Sequence, residues 1–89
     1  MSIHVFYSEK AKKQLLDLEQ KTAQKIAKKI RQYAEEKDPL NIAKPLSGHL
    51  EGKYRYRIGN YRAIFTIEKG KVVLLTIFEI KHRKDAYKK

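Results

Sequence analysis

The sequence predicts an α+β fold: a small, mostly antiparallel β-sheet with an N-terminal αα-hairpin packed on one face, in the order β-α-α-β-β-β. Three observations carry this. Two apolar series of helical period follow each other before residue 35. Tyr and Arg then alternate from Tyr54 to Ile58 and run into Gly59-Asn60, a two-residue turn suited to a β-hairpin. Finally, Val72 to Ile80 is an almost unbroken apolar run, as expected of a central strand.

Ile3, Val5 and Tyr7 alternate with Ser2, His4 and Phe6 and predict a short first strand. Ser8 stops it and is a good N-cap for a helix whose inner face is Ala11, Leu15 and Leu18. After a break near Gln20 to Thr22, the series Ala23, Ile26, Ala27, Ile30, Tyr33 and Ala34 predicts a second helix, ended by Asp38-Pro39. Leu40 to Gly48, just after Pro39, holds Pro45 and scattered apolar residues, which reads as a loop packed on the body. Three antiparallel strands follow, with Lys69-Gly70 as the second tight turn, and a charged tail runs from Lys81 to Lys89.

At 89 residues the chain is expected to form a single domain over 1–89. It has no Cys, so neither a disulfide framework nor a thiolate metal site contributes. The apolar stretches are too short to cross a bilayer and the start shows no signal-peptide pattern, so the expected location is the cytoplasm, with no membrane partner. The net charge of +11, from 21 Lys+Arg against 10 Asp+Glu, implies a polyanionic partner, nucleic acid first. An acidic protein partner is also compatible, because an inhibitor of a basic site would itself be acidic there.

With Gly59 and Asn60 at the centre of the turn, Ile58 is expected opposite Tyr61 and Arg57 opposite Arg62, with Arg55 diagonal to Arg62 on the same face. Like charges directly across a strand pair destabilise by up to about 1 kcal/mol, so three converging guanidinium groups need a reason, and a bound phosphate is one. A solvated basic face is the plain alternative. Using Lys69-Gly70 as the next turn puts Arg62 opposite Ile77 and Glu79 diagonal to it. The other face then collects Tyr54, Tyr56, Ile58, Tyr61, Phe65, Ile67, Leu74 and Phe78 as the core. The tail should lie near the arginines, bringing Lys81, His82, Arg83 and Tyr87. Arginine stays protonated, so His82, Tyr87 and Lys81 are the groups there that can move a proton.

The strand Tyr54-Arg55-Tyr56-Arg57-Ile58, the following Gly59-Asn60-Tyr61-Arg62, and the ending Ile80-Lys81-His82-Arg83 with Tyr87 together resemble the RelE-type toxins of the RelE/ParE toxin-antitoxin superfamily. The resemblance covers nearly the whole chain, including the helical hairpin and Leu46-Ser47-Gly48. It implies a ribosome-dependent mRNA endoribonuclease that cuts the codon in the ribosomal A site. The 2′-hydroxyl attacks the adjacent phosphate, and no metal or other cofactor is required. It also implies a cognate antitoxin that binds the toxin in a heteromeric complex.

By this resemblance Arg55 and Arg57 fall where relatives carry basic catalytic residues, often lysines. Arg62 matches a phosphate-stabilising arginine, Lys81 or Arg83 a second basic site, and Tyr87 an aromatic that positions or stacks the substrate. The expected catalytic set is therefore Arg55, Arg57, Arg62, His82 and Tyr87, with Lys53, Lys81 and Arg83 binding substrate. The departure from lysine matters. Arg55 and Arg57 cannot serve as bases, which leaves His82 or Tyr87 to handle proton transfer or base stacking. Two other readings carry different chemistry: a ParE-like toxin of the same fold acting on DNA gyrase, and a basic RNA-binding module without catalysis.

Overall fold

The structure, a computed structural model, describes residues 3–70, 72–82 and 84. Its elements are β1 (Ile3–Tyr7), α1 (Glu9–Leu16), α2 (Gln20–Ala34), β2 (Lys44–Pro45), a 3-10 turn (Gly48–Leu50), β3 (Tyr54–Ile58), β4 (Tyr61–Lys69) and β5 (Val73–His82). The strands form one mixed sheet in the order β1-β5-β4-β3-β2, in which β1 runs parallel to β5 and the other pairs are antiparallel. The expected antiparallel trio is present as β3-β4-β5. The segment read as a loop contributes a two-residue edge strand, because Lys44 and Pro45 pair with Arg55 and Tyr54. Pro45 has no N–H to extend that ladder, so the strand stays short.

Ser8 caps α1 as the sequence implies, its hydroxyl oxygen accepting the Ala11 N–H at 3.0 Å. The break between the helices lies at Asp17 to Glu19, slightly before the expected Gln20 to Thr22. Leu18 packs against the core there, and Glu19 adopts an extended backbone (ψ 138°) that starts α2 at Gln20. Ile26, Ile30 and Ala34, spaced four apart, are the buried stripe of α2, and Ala11 is its counterpart in α1. Full burial of Ile26 and Ile30 contributes about 1.5–3 kcal/mol each before entropy is counted. α2 ends at Ala34, ahead of Asp38-Pro39.

Both helices lie on one face of the sheet. Tyr56, Ile58, Ala63, Phe65, Leu75, Ile77 and Ile80 fill the core beneath them, with the Tyr56 and Phe65 rings stacked at 4.2 Å. The register of β4 with β5 corrects the expectation. Lys69 pairs with Val73, so the second turn is a three-residue loop, and Arg62 faces Lys81 instead of Ile77. The continuous apolar run offered no alternation from which to fix this register.

A bulge then interrupts the ladder: Ile64 pairs with Glu79 but Phe65 pairs with Ile77, leaving Phe78 as the extra residue. The core-facing positions of β5 are therefore Val73, Leu75, Ile77 and Ile80. Leu74 and Phe78, expected in the core, lie on the open face, where Phe78 is 38% exposed.

β1 ends at Tyr7, yet β5 continues for five more residues, and its outer edge needs partners there. The turn into α1 supplies them. Ser8 N–H donates to the Ile77 carbonyl at 2.8 Å, Ser8 Oγ donates to the Phe78 carbonyl at 2.8 Å, and Gln14 Oε1 accepts the Ile80 N–H at 2.6 Å. The bulge is thus fastened from the helix side.

Candidate functional site

The face of the sheet away from the helices carries the basic residues. Gly59, at φ 59°, occupies the first central position of the β3–β4 turn, where a positive φ favours glycine. The resulting register is the expected one: Ile58 faces Tyr61, Arg57 faces Arg62, and Arg55 faces Ile64. On the other side of β4, Lys81 faces Arg62 and Glu79 faces Ile64. Arg57, Arg62 and Lys81 therefore form one row across three strands, spanning about 10 Å at the usual strand spacing. The next row holds Arg55, Ile64 and Glu79, with Lys44 of β2 beyond Arg55.

Two head groups of like charge about 5 Å apart repel by roughly 0.8 kcal/mol even in water. The row places a cation on each strand neighbouring Arg62. Arg57 is exposed, whereas Arg55 and Arg62 are half-buried and the Arg62 Nε atom is shielded from solvent. Glu79 relieves part of the repulsion, its Oε2 lying 3.9 Å from Lys81 Nζ and 3.2 Å from Lys10 Nζ of α1. The arrangement is suited to an anion with several oxygens, and arginine forks match phosphate in particular.

Of the residues selected from the sequence, Arg55, Arg57, Arg62 and Lys81 share this face. Lys53 precedes β3 and its Nζ lies 5.4 Å from the centre of the Phe78 ring. His82 is not brought to the cluster. It pairs with Tyr61, on the helix side of the sheet, and the two rings meet edge to face at 5.0 Å. Its Nδ1 accepts the Lys84 N–H at 3.1 Å. Alternation along β5 puts successive residues on opposite faces, so Lys81 and His82 cannot both join the arginines. Arg83 and Tyr87 lie outside the described residues.

Sequence reasoning missed Phe78 as a surface residue and treated Glu79 only as a neutralising charge. The spacing Leu75, Ile77, Ile80 was the available signal, since a period of two broken by one residue marks a bulge. A cleft of about 620 Å³ lies between the start of β1 and the end of α2, lined in part by Ile3, Arg31 and Val73. That is the end of β5 away from Lys81; the basic row lies on the sheet face opposite the helices. Such a surface admits a polymer more readily than a small enclosed substrate.

Several solved structures share this fold. The RelBE2 toxin-antitoxin complex from Mycobacterium tuberculosis contains a chain that superposes with a TM-score of 0.81 at 24% identity, covering 93% of this chain and 100% of that one. The archaeal RelE-RelB complex from Pyrococcus horikoshii OT3 matches with a TM-score of 0.67 at 26% identity, over 93% and 97% of the two chains. The YoeB-YefM complex from Staphylococcus aureus gives 0.67 at 18% identity, over 92% and 98%. No curated protein matches the chain.

Fold and relatives define a toxin of the RelE/ParE type. The model of the ParE toxin family of type II toxin-antitoxin systems matches residues 5–87, and the chain belongs to that family. Among the described residues, no helix is long and apolar enough to cross a membrane.

Proposed function

We propose that this toxin is an endoribonuclease that cuts mRNA in the ribosomal A site and is held inactive by a cognate antitoxin. The observation that carries the reading is the row Arg57, Arg62 and Lys81 beside Arg55, four cations gathered on an exposed sheet face against electrostatic cost. The solved relatives that are complexes with RelB-type or YefM antitoxins support the antitoxin as partner. An acidic antitoxin segment lying over the row would neutralise it and block the substrate together.

Within this reading the scissile phosphate sits over Arg62, with Arg55 and Arg57 on its other oxygens. Their fixed donors favour the extra negative charge of the pentacoordinate transition state over the ground-state diester. The nucleophile is the ribose 2′-hydroxyl. Its proton passes to the Glu79 carboxylate, the acceptor two positions before Lys81 on the same face. Lys81 gives a proton to the departing 5′-oxygen as the P–O bond breaks. The products are a 2′,3′-cyclic phosphate and a 5′-hydroxyl end.

A second reading has one observation in its favour, since the family model that matches is named for ParE. In that case the same basic face would engage DNA gyrase and cut no RNA. The test adds purified toxin to programmed ribosomes, to naked mRNA and to a gyrase supercoiling assay, with Arg62→Ala alongside. Cuts confined to the A-site codon and abolished in Arg62→Ala are expected. Inhibited supercoiling with intact mRNA replaces the nuclease by the gyrase reading.

A further inference from the structure

The nuclease reading leaves one feature of the open face unused: an aromatic ring pushed out beside the arginine row. The bulge gives β5 two consecutive residues, Phe78 and Glu79, between the core-facing Ile77 and Ile80. Glu79 faces Ile64 and is held by Lys10 and Lys81. Phe78 is left on the surface, 38% exposed, with the Lys53 ammonium 5.4 Å from its ring centre. Alternation from Val73, Leu75 and Ile77 already puts Phe78 on the open face, and the bulge then keeps Glu79 on that face beside it, next to the arginines. Bulges recur beside functional sites because they re-aim a side chain.

Its surroundings select the ligand. Ile64, only 7% exposed, forms an apolar floor between the β5 bulge and Arg55. Phe6, 53% exposed, faces Thr76, two residues before Phe78 along β5. The surface therefore offers flat apolar contact, a cation over the ring, and a phosphate-binding row one strand-row away. Single-stranded RNA needs that combination, with unpaired bases stacked on aromatic side chains while the backbone follows positive charge. An antitoxin segment also fits an apolar surface, but the lysine over the ring and the nearness of the arginines favour a base joined to a bound phosphate.

We infer that Phe78 is the stacking platform for a base of the cleaved codon, next to the scissile phosphate, with Lys53 moving from the ring to the adjoining phosphate when RNA binds. This rests on the nuclease reading. Phe78 touches substrate and acts through binding: it holds the base of the nucleotide beside the scissile phosphate.

The test uses ribosomes programmed with mRNA that carries 2-aminopurine in the A-site codon and a 2′-deoxy sugar at the scissile position. Wild type, Phe78→Leu and Phe78→Tyr are compared for quenching of the probe, and separately for cleavage of ordinary mRNA. Wild type should quench the probe. Phe78→Leu should lose the quenching and fall about 10- to 100-fold in kcat/KM, chiefly through KM. Phe78→Tyr should retain both.

If wild type cuts while Phe78→Leu cuts and quenches as wild type does, the platform is refuted and the nuclease reading stands. If wild type does not cut but quenches the probe through Phe78, the nuclease reading fails and the base-stacking site stands. A Phe78→Leu variant altered only in antitoxin affinity assigns the ring to the antitoxin and overturns the inference.

Discussion

Ser8 Oγ donates a hydrogen bond to the Phe78 carbonyl at 2.8 Å while the same oxygen accepts the Ala11 N–H at 3.0 Å. One hydroxyl thus starts α1 and fastens the β5 bulge. Ser8→Ala removes both bonds and leaves the Phe78 carbonyl without that donor. Loss of an N-cap costs about 0.5–2 kcal/mol, and a fall in Tm of roughly 4–8 °C per kcal/mol is expected for a domain of this size. Thermal unfolding followed by circular dichroism checks it. A Tm unchanged within a degree would mean that water replaces the hydroxyl at both places.

Tyr56 offers a buried counterpart. Its ring is fully buried against Phe65 and Tyr33, and its hydroxyl donates to the Pro39 carbonyl at 2.7 Å. That bond ties the loop after α2 to the centre of the sheet. Tyr56→Phe keeps the ring stack but leaves a buried carbonyl unsatisfied, at a cost of about 1–3 kcal/mol. Urea unfolding should show a lower midpoint with an unchanged slope.

The same tyrosine sets an alkaline limit. Burial first, and then the Asp38 carboxylate, push the Tyr56 hydroxyl well above its ordinary value, and burial raises Tyr7 as well. In the unfolded chain a tyrosine loses its proton near pH 10. Above that pH the unfolded state binds fewer protons than the native one, so stability falls as pH rises. The contribution is complete below about pH 10 and is lost progressively above it. Denaturation midpoints measured from pH 8 to 11 should drop at the alkaline end, and less steeply in Tyr56→Phe.

Arg57 opposite Arg62 separates stability from function. Replacing Arg57 by Thr removes a like-charge pair and places a β-branched residue on the strand. A gain of about 0.2–1 kcal/mol in unfolding free energy is expected. Cleavage should move the other way, because one phosphate ligand is lost. A variant both less stable and less active would mean that Arg57 serves packing, and the opposition would then have no functional explanation.

These residues also show where the sequence could be read and where it could not. The Arg57–Arg62 relation followed from Gly59-Asn60 alone, because a two-residue turn with glycine first allows one register, and Tyr-Arg alternation reports which face is wet. β5 resisted the same reasoning. From Val73 to Phe78 apolar residues outnumber the one polar residue, Thr76, so alternation carried little information and the turn at Gly70 is longer than it reads. The actual register turned Leu74 and Phe78 out of the expected core, and the bulge after Ile77 then kept Glu79 on the same face as Phe78. His82 was assigned to the arginines by nearness along the chain, whereas strand alternation turns it to Tyr61. The parallel pairing of β1 with β5 joins residues seventy apart, which no local pattern reveals.

Glu79 gives the sharpest test of the proposed chemistry. Its carboxylate is paired with Lys10 and Lys81, at 3.2 and 3.9 Å, in a half-buried position that solvent still reaches. Pairs of this kind contribute about 0.2–1 kcal/mol, so Glu79→Gln should change stability little. The amide keeps the shape and can still accept a hydrogen bond, but it cannot take up the 2′-hydroxyl proton at neutral pH. If Glu79 is the base, single-turnover cleavage on ribosomes should fall about 10²- to 10⁴-fold, with binding of an uncleavable mRNA unchanged. Lys10→Ala breaks the stronger ion pair while sparing the carboxylate, and should cost far less. Equal losses in the two variants would show that the ion pair, and not proton transfer, is what the site requires.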